Sequence, residues 1–306
     1  ISLPLDGTAV VSRAALDRAL LDAARSSGAE IRTGWTAALG PSHGSVRSVE
    51  LRSGDHRETV RARLVLGATG LTPLLAAGAR DVPEVEVSAT GRIGAGALLP
   101  AGAFGADSPD PSAVRMVVGP TGYVGMGTTE DGRLDVAAAL DAEAVRAAGG
   151  TGEAVAALLR SAGHPEPSLP PDEGWRGTPR LTRAAPRPGA HRLLLVGDAA
   201  SYVEPFTGEG MTWAVEDARA VVEHAEALLS GSPPESVVEA WTSSRSRRTR
   251  RARRLVRAVA WLTRSPGRTR VIFGLLSSLP VLARPFVRAA ASMPPRPDLT
   301  FEQDPA

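Results

Sequence analysis

The sequence predicts an α/β fold with a second, sheet-rich domain inserted into it, and three observations carry that prediction. The run Ala62 to Leu66 is wholly apolar and stops at Gly67-Ala68-Thr69-Gly70, as a buried parallel strand reaching a tight backbone turn does. His191 to Val196 repeats the pattern, ending in Gly197-Asp198 ahead of a helical segment. Between the two, from about 85 to 190, the chain breaks into short strand-like runs punctuated by glycine and proline turns. At 306 residues, 43% hydrophobic and 22% charged, it is long enough for roughly two cores.

Taken in order, Ser12 is an N-cap candidate, Leu16, Ala19, Leu20, Ala23 and Ala24 recur at helical spacing, and Gly28 supplies a stop. A helix is expected from about 13 to 27. A short strand near Glu30 to Thr33 follows, then a β-hairpin of Val46 to Arg52 and Thr59 to Leu66 around Ser53-Gly54-Asp55. In the middle region the clearest strands are Val114 to Val118 and Tyr123 to Thr128, joined by Gly119-Pro120-Thr121-Gly122. Helices are expected near 141 to 148 and 152 to 162, and the proline-rich 164 to 179 reads as a surface connection. Beyond Asp198, residues Met211, Ala214, Val215, Ala218, Val221, Val222 and Ala225 mark one face of a helix that stops near Gly231. The tail 241 to 293 reads as two or three arginine-rich helices broken at Pro266, Pro280 and Pro285. The expected organisation is an α/β domain in 1–84, the sheet domain in 85–190, a return to the α/β domain in 191–232 and a helical region in 233–306.

Composition removes several chemistries. Cysteine is absent, which excludes disulfides, zinc thiolates and a cysteine nucleophile from this chain. Lysine is absent too, so the 35 basic residues are all arginine and no Schiff base or phosphate-loop lysine is available. Net charge is only +2, yet residues 241–306 hold 14 arginines against Asp298, Glu302 and Asp304. That asymmetry raises an anionic partner for the tail.

The most informative stretch is Leu193-Leu194-Leu195-Val196-Gly197-Asp198-Ala199-Ala200, followed by Pro205-Phe206-Thr207-Gly208-Glu209-Gly210-Met211 and a helix. A buried strand ending in Gly-Asp places a carboxylate at the C-terminal edge of the sheet, where it can accept hydrogen bonds from sugar-like hydroxyls. Gly208 and Gly210 let backbone approach a flat ligand closely, and the next helix N-terminus offers unpaired N–H donors.

The Gly-Asp-Ala strand end and the Pro-x-x-Gly-x-Gly-Met loop resemble the second FAD-binding signature of the flavoprotein monooxygenases and geranylgeranyl reductase-like oxidoreductases. Val11-Ser12-Arg13-Ala14-Ala15-Leu16-Asp17, with Leu21 and Gly28-Ala29, is similar to that family's arginine-led helix, and Gly67-Ala68-Thr69-Gly70 resembles its Ala-Thr/Asp-Gly turn. The resemblance runs from about Val10 to Gly231. It implies an FAD/NAD(P)-binding Rossmann-like domain of the p-hydroxybenzoate hydroxylase type, with an inserted antiparallel substrate domain and a C-terminal helical segment. It further implies FAD contacts from Arg13, the strand-end Ala37, Gly197, Asp198, Pro205, Gly208, Gly210 and Met211, with Asp198 at the ribityl or pyrophosphate region and Gly210-Met211 beside the ring. The family's Gly-x-Gly-x-x-Gly unit is missing, and Gly94-Ala95-Gly96 lacks its third glycine, so an N-terminally truncated domain that binds FAD poorly by itself is expected.

By the same resemblance the expected activity is an NAD(P)H-dependent monooxygenase acting on an aromatic, polyketide or lipid-like small molecule. The alternatives are a flavin reductase of a double bond and, in a different class, a cofactor-less module docking on membrane or nucleic acid through its tail. The reductases carry an aromatic-rich pattern where this chain has Gly122-Tyr123-Val124-Gly125, and the family's halogenases need a lysine, which this chain does not supply. Catalytic residues stay unassigned, with Tyr123, Met126 and Trp213 weighed as cavity neighbours against plain core. Gly40-Pro41-Ser42-His43-Gly44 satisfies a serine-hydrolase elbow pattern, but Pro41 suits a hairpin loop instead. No metal site is expected from the five scattered histidines. A cytoplasmic protein is expected, with peripheral membrane contact through 241–293, no nucleic acid partner and an oligomeric state that the sequence leaves open.

Overall fold

The computed structural model describes residues 10–105, 110–202 and 210–263, with 265, 267–268, 271 and 274–275 beyond them. Val10–Pro266 forms one compact unit. Its first element is α1 (Arg13–Ser26), capped as its sequence requires: the Ser12 hydroxyl accepts the Ala15 N–H at 3.1 Å. Glu130, from a distant turn, accepts both the Ser12 hydroxyl proton (2.6 Å) and the Ser12 backbone N–H (2.8 Å).

The strand expected at Glu30 to Thr33 does not form. Glu30, Arg32 and Thr33 are exposed, and Arg32 pairs with Glu30 and Glu58 instead. The strand begins later, as β1 (Thr36–His43), in an antiparallel meander with β2 (Val46–Ser53) and β3 (His56–Ala62). The supposed hairpin loop around Pro41 belongs to β1: the register shifts between Leu39 and Ser42, a bulge that tolerates the missing proline N–H. The chain turns at Gly44 and Ser45 into β2, so the helix that a serine-hydrolase elbow needs is replaced by a strand. Arg47 of β2 is fully buried and explains the meander's anchorage, donating to the carbonyls of Gly40 and His191 and pairing with Asp81.

The expected strand Thr59 to Leu66 breaks at Arg63-Leu64, after which β4 (Val65–Gly67) starts a separate sheet. Two short strands, β5 (Leu75–Ala76) beside β1 and β6 (Glu86–Val87), lead into the second region. There β7 (Ile93–Leu99), β8 (Arg115–Gly119), β9 (Gly122–Thr128), β10 (Leu134–Leu140) and β11 (Arg176–Arg180) form a five-stranded antiparallel sheet in the order β11-β7-β10-β9-β8. Helices α2 (Ala142–Ala148) and α3 (Thr151–Ser161) follow, and α3 buries Ala154, Val155, Leu158 and Leu159 in the sheet's core. The segment 164–179 is more than a surface connection, because Trp175 is 8% exposed in that same core and β11 pairs with β7.

The chain then returns through β12 (Arg183–Ala184) and β13 (Gly189–Ala190) to β14 (Leu193–Leu195), with β15 (Ser201–Tyr202) just beyond. β14 lies between β13 and β4 and runs parallel to β4, Leu194 opposite Leu66. Both faces of β14 are covered, which is why three leucines stand in a row: Leu194 packs with Val221, Val237 and Trp241, and Leu193 and Leu195 pack with Leu39 and Ala200. β4 is the edge strand, and Leu66 is 46% exposed, so the apolar run 62–66 is not buried throughout. Helix α4 (Gly210–Leu229) turns Asp217, Val221 and Leu228 inward, leaving Val215 and Val222 exposed; the predicted face is rotated by about one residue. The first of the expected tail helices is α5 (Pro234–Thr263), which starts before residue 241 and packs Val237, Val238 and Trp241 against β14. Pro266, Pro280 and Pro285 lie outside the described residues. No helix among the described residues is long and apolar enough to cross a membrane.

Candidate functional site

The site is built where β14 ends. Gly197 takes the left-handed conformation (φ 57°), turning the chain sharply into the short helical turn Gly197–Ala199, and a Cβ there would lie 3.2 Å from that of Ala214 on α4. Asp198 therefore stands at the C-terminal end of a buried parallel strand. It is half-buried and, among the described residues, accepts no hydrogen bond from protein. Burial pushes its carboxyl above the usual carboxylate range, and the charges of Arg13 and Arg245 pull in the opposite direction while Asp217 reinforces the rise. Arg13 opens α1 and is exposed, its guanidinium engaged with Asp17 at 3.2 Å.

Of the residues the sequence singled out, the structure thus brings Gly197, Asp198 and Arg13 into one electrostatic neighbourhood. Gly210 begins α4 beside them in the fold: its nearest side-chain contact for an added Cβ is Cε2 of Tyr202 at 3.8 Å, four residues after Asp198. Met211 is half-buried in the first turn of that helix. Ala37 is exposed on β1, opposite Leu51. Pro205 and Gly208 lie outside the described residues. Met126 belongs to the core of the five-stranded sheet, Tyr123 packs with Leu181, Leu71 and Tyr202 where that sheet meets the α/β layer, and Trp213 is half-buried on α4.

Sequence reasoning missed the groups that hold the turn. Asp217 accepts the Gly197 N–H at 3.0 Å and the Arg245 Nε–H at 2.6 Å. Arg245 also donates to the Gly197 carbonyl (3.1 Å) and the Ser201 hydroxyl (2.6 Å). The available signal was an acidic residue on the inward face of an apolar helix, where an unpaired charge is too costly to bury.

These features fit the hydroxyl-rich part of a flavin dinucleotide. A carboxylate without a protein donor among the described residues can accept ligand O–H groups, and Gly197 lets the strand end pack closely against Ala214 of α4. Arg13 adds a cation for an anionic ligand group. By acceptor and charge, Asp198 and Arg13 fit the hydroxyl-bearing and anionic parts of FAD.

The family model for the FAD binding domain matches residues 4–258. A comparison with curated proteins finds no match. Among solved structures, the chain is similar to OxyS, an anhydrotetracycline hydroxylase from Streptomyces rimosus, at 20% identity and a TM-score of 0.63, covering 95% of this chain and 58% of that one. CabE, an aromatic hydroxylase from angucycline biosynthesis, gives 21% identity and a TM-score of 0.64 over 94% of this chain and 59% of that one. CmlS, a flavin-dependent halogenase, gives 19% identity and a TM-score of 0.61 over 78% and 44%. The chain spans 44–59% of the length of these three structures.

Proposed function

The chain belongs to the FAD binding domain family, and on that premise we propose that it serves an FAD-dependent monooxygenase that hydroxylates an aromatic, polyketide or lipid-like small molecule with NAD(P)H as reductant. The observation that carries this reading is the Asp198 carboxylate, set by a left-handed glycine at a parallel strand's end with no protein donor among the described residues. The bound flavin supplies hydride acceptance and oxygen activation, so the protein needs few reactive side chains of its own. Asp198 accepts ligand hydroxyls and fixes the cofactor's position along the strand end; Arg13 answers negative charge from the side of α1. The similarity to OxyS, an anhydrotetracycline hydroxylase, and CabE, an aromatic hydroxylase, supports an aromatic substrate.

Two measurements test the reading. Titration with FAD, followed by quenching of flavin fluorescence, is expected to show weak binding, as the missing Gly-x-Gly-x-x-Gly unit implies, that Asp198→Ala weakens about tenfold further, the worth of one charge-assisted hydrogen bond. Equal affinity in both proteins removes Asp198 from the site. Incubation with NADPH or NADH, a panel of polycyclic phenols and isotopically labelled dioxygen is expected to place one labelled oxygen in a product; NAD(P)H oxidation with no labelled product would argue against hydroxylation.

A further inference from the structure

Four ties converge on the seven residues from Leu195 to Ser201. Trp241 donates its Nε1–H to the Leu195 carbonyl at 3.0 Å, and Asp217 Oδ2 accepts the Gly197 N–H at 3.0 Å. Arg245 donates from Nη2 to the Gly197 carbonyl at 3.1 Å and from Nη1 to the Ser201 hydroxyl at 2.6 Å. Arg245 and Asp217 close on each other at 2.6 Å, with side chains 8% and 3% exposed, and Arg248 reaches the second Asp217 oxygen at 3.2 Å. Both backbone polar groups of Gly197, in the two peptide units that flank it, are therefore held by one buried ion pair contributed by two different helices. Asp198 is the next residue.

Resting on the flavin-site reading above, we propose that the Asp217–Arg245 pair is a positioning unit for Asp198: it fixes the strand-end backbone that aims the Asp198 carboxylate and sets the local charge under which that carboxylate accepts ligand hydroxyls. Stability alone is a poor explanation for the pair. A buried ion pair is seldom better for folding than an apolar pair of the same shape, because both charges must leave water. What it does supply is directionality: a planar guanidinium with fixed donor directions holds a left-handed glycine peptide in one orientation.

Among the described residues the charged groups acting on Asp198 are Arg13 from α1, Arg245 from α5 and Asp217 from α4. Arg245 favours its ionised form and Asp217 opposes it, so neutralising each partner moves Asp198 in opposite directions. These shifts report the pair's charge at Asp198; its hold on the backbone is read in FAD affinity, which a brace serving only stability leaves unchanged in the folded protein.

The test uses the full chain and two readouts: the titration of the Asp198 carboxyl by carbon-detected NMR, and FAD affinity from fluorescence quenching as a function of pH. Arg245→Gln is expected to move the Asp198 titration upward and Asp217→Asn to move it downward. Arg245→Gln is also expected to weaken FAD about tenfold at pH 7. Shifts in the same direction, or none, alongside a lower melting temperature would overturn the proposal and leave a structural brace. Should Arg245→Gln fail to fold, Arg245→Lys keeps the charge but loses the fork. It is expected to leave the titration near that of wild type and weaken FAD severalfold; unchanged affinity counts against positioning. If opposite shifts appear while Asp198→Ala leaves FAD affinity unaltered, the flavin-site reading fails and the coupling of the pair to Asp198 stands.

Discussion

Gly197 and Asp198 show how one dipeptide carries both conformation and chemistry. At φ 57°, with Ala214 3.2 Å from where a Cβ would sit, Gly197→Ala combines left-handed strain with a steric conflict against α4. It is expected to cost about 1–3 kcal/mol, read as a lower urea midpoint; a midpoint equal to that of wild type would show that the turn relaxes freely. Asp198 carries the opposite trade. Burial raises its pKa on folding, so ionising it costs stability as pH rises from its ordinary value through the raised one. Asp198→Asn is therefore expected to be more stable than wild type at pH 7 and no more stable at pH 3, where the native carboxyl is protonated, while binding FAD less tightly. A variant less stable at both pH values would place the carboxylate in a stabilising role instead. The strand-end placement of both residues was legible in the sequence because a wholly apolar run stopping at Gly-Asp marks the end of a buried strand. Arg47, Asp217 and Arg245 were not, because their meaning depends on partners in other elements: Asp81 and His191 for Arg47, and Gly197 and each other for Asp217 and Arg245.

Among the elements, α1 was read almost to the residue because its cap and stop are local signals: Ser12 before it, and Ser27 and Gly28 after it. The strands Ile93–Leu99 and Leu134–Leu140 went unread because small residues and leucine dominate them, with little strand preference, and they are defined by pairing with each other and with β11 and β9. The attachment of α1 is equally non-local. Glu130 accepts two hydrogen bonds from Ser12, and these bonds hold its carboxyl below the usual range. A lowered pKa means the tie is present above the ordinary carboxylate value and lost as pH falls through the lowered one. Ser12→Ala removes the cap and one of those bonds; it is expected to cost roughly 1 kcal/mol of local stability, seen as about fivefold lower hydrogen-exchange protection in the first turn of α1. The native helix should lose protection in strong acid, and Ser12→Ala should lose less on the same change. Identical protection in the two proteins across pH would mean that α1 is held by something other than this cap.

On the scale of the molecule, the chain folds around separate cores rather than one. The five-stranded sheet and α3 close over Val124, Val136 and Leu140, whereas the α/β layer closes over Leu194, Val221 and Trp241. Tyr123, Ala139 and Leu181 form the smaller cluster that meets Leu71 and Tyr202 between them. A linear sequence signals some of each core's strands but not which helix completes it, and α5 was read as part of a separate tail because its arginines dominate its composition. Its apolar first turns nonetheless finish the α/β core. Trp241 is fully buried, its Nε1–H satisfies the Leu195 carbonyl, and its ring faces His224 at 5.3 Å and the Arg248 guanidinium at 5.3 Å. Trp241→Ala empties that volume and orphans a buried carbonyl, a loss of about 3–5 kcal/mol. Because the sheet core shares none of these contacts, the loss should fall unevenly. Hydrogen exchange is expected to accelerate in β4, β14 and α4 while β7, β9 and β10 keep their protection, and FAD affinity should disappear with the α/β layer. Uniform acceleration through both regions would mean that the two cores unfold as one cooperative unit, and that the arginine-rich helix stabilises the whole molecule rather than the half that carries Asp198.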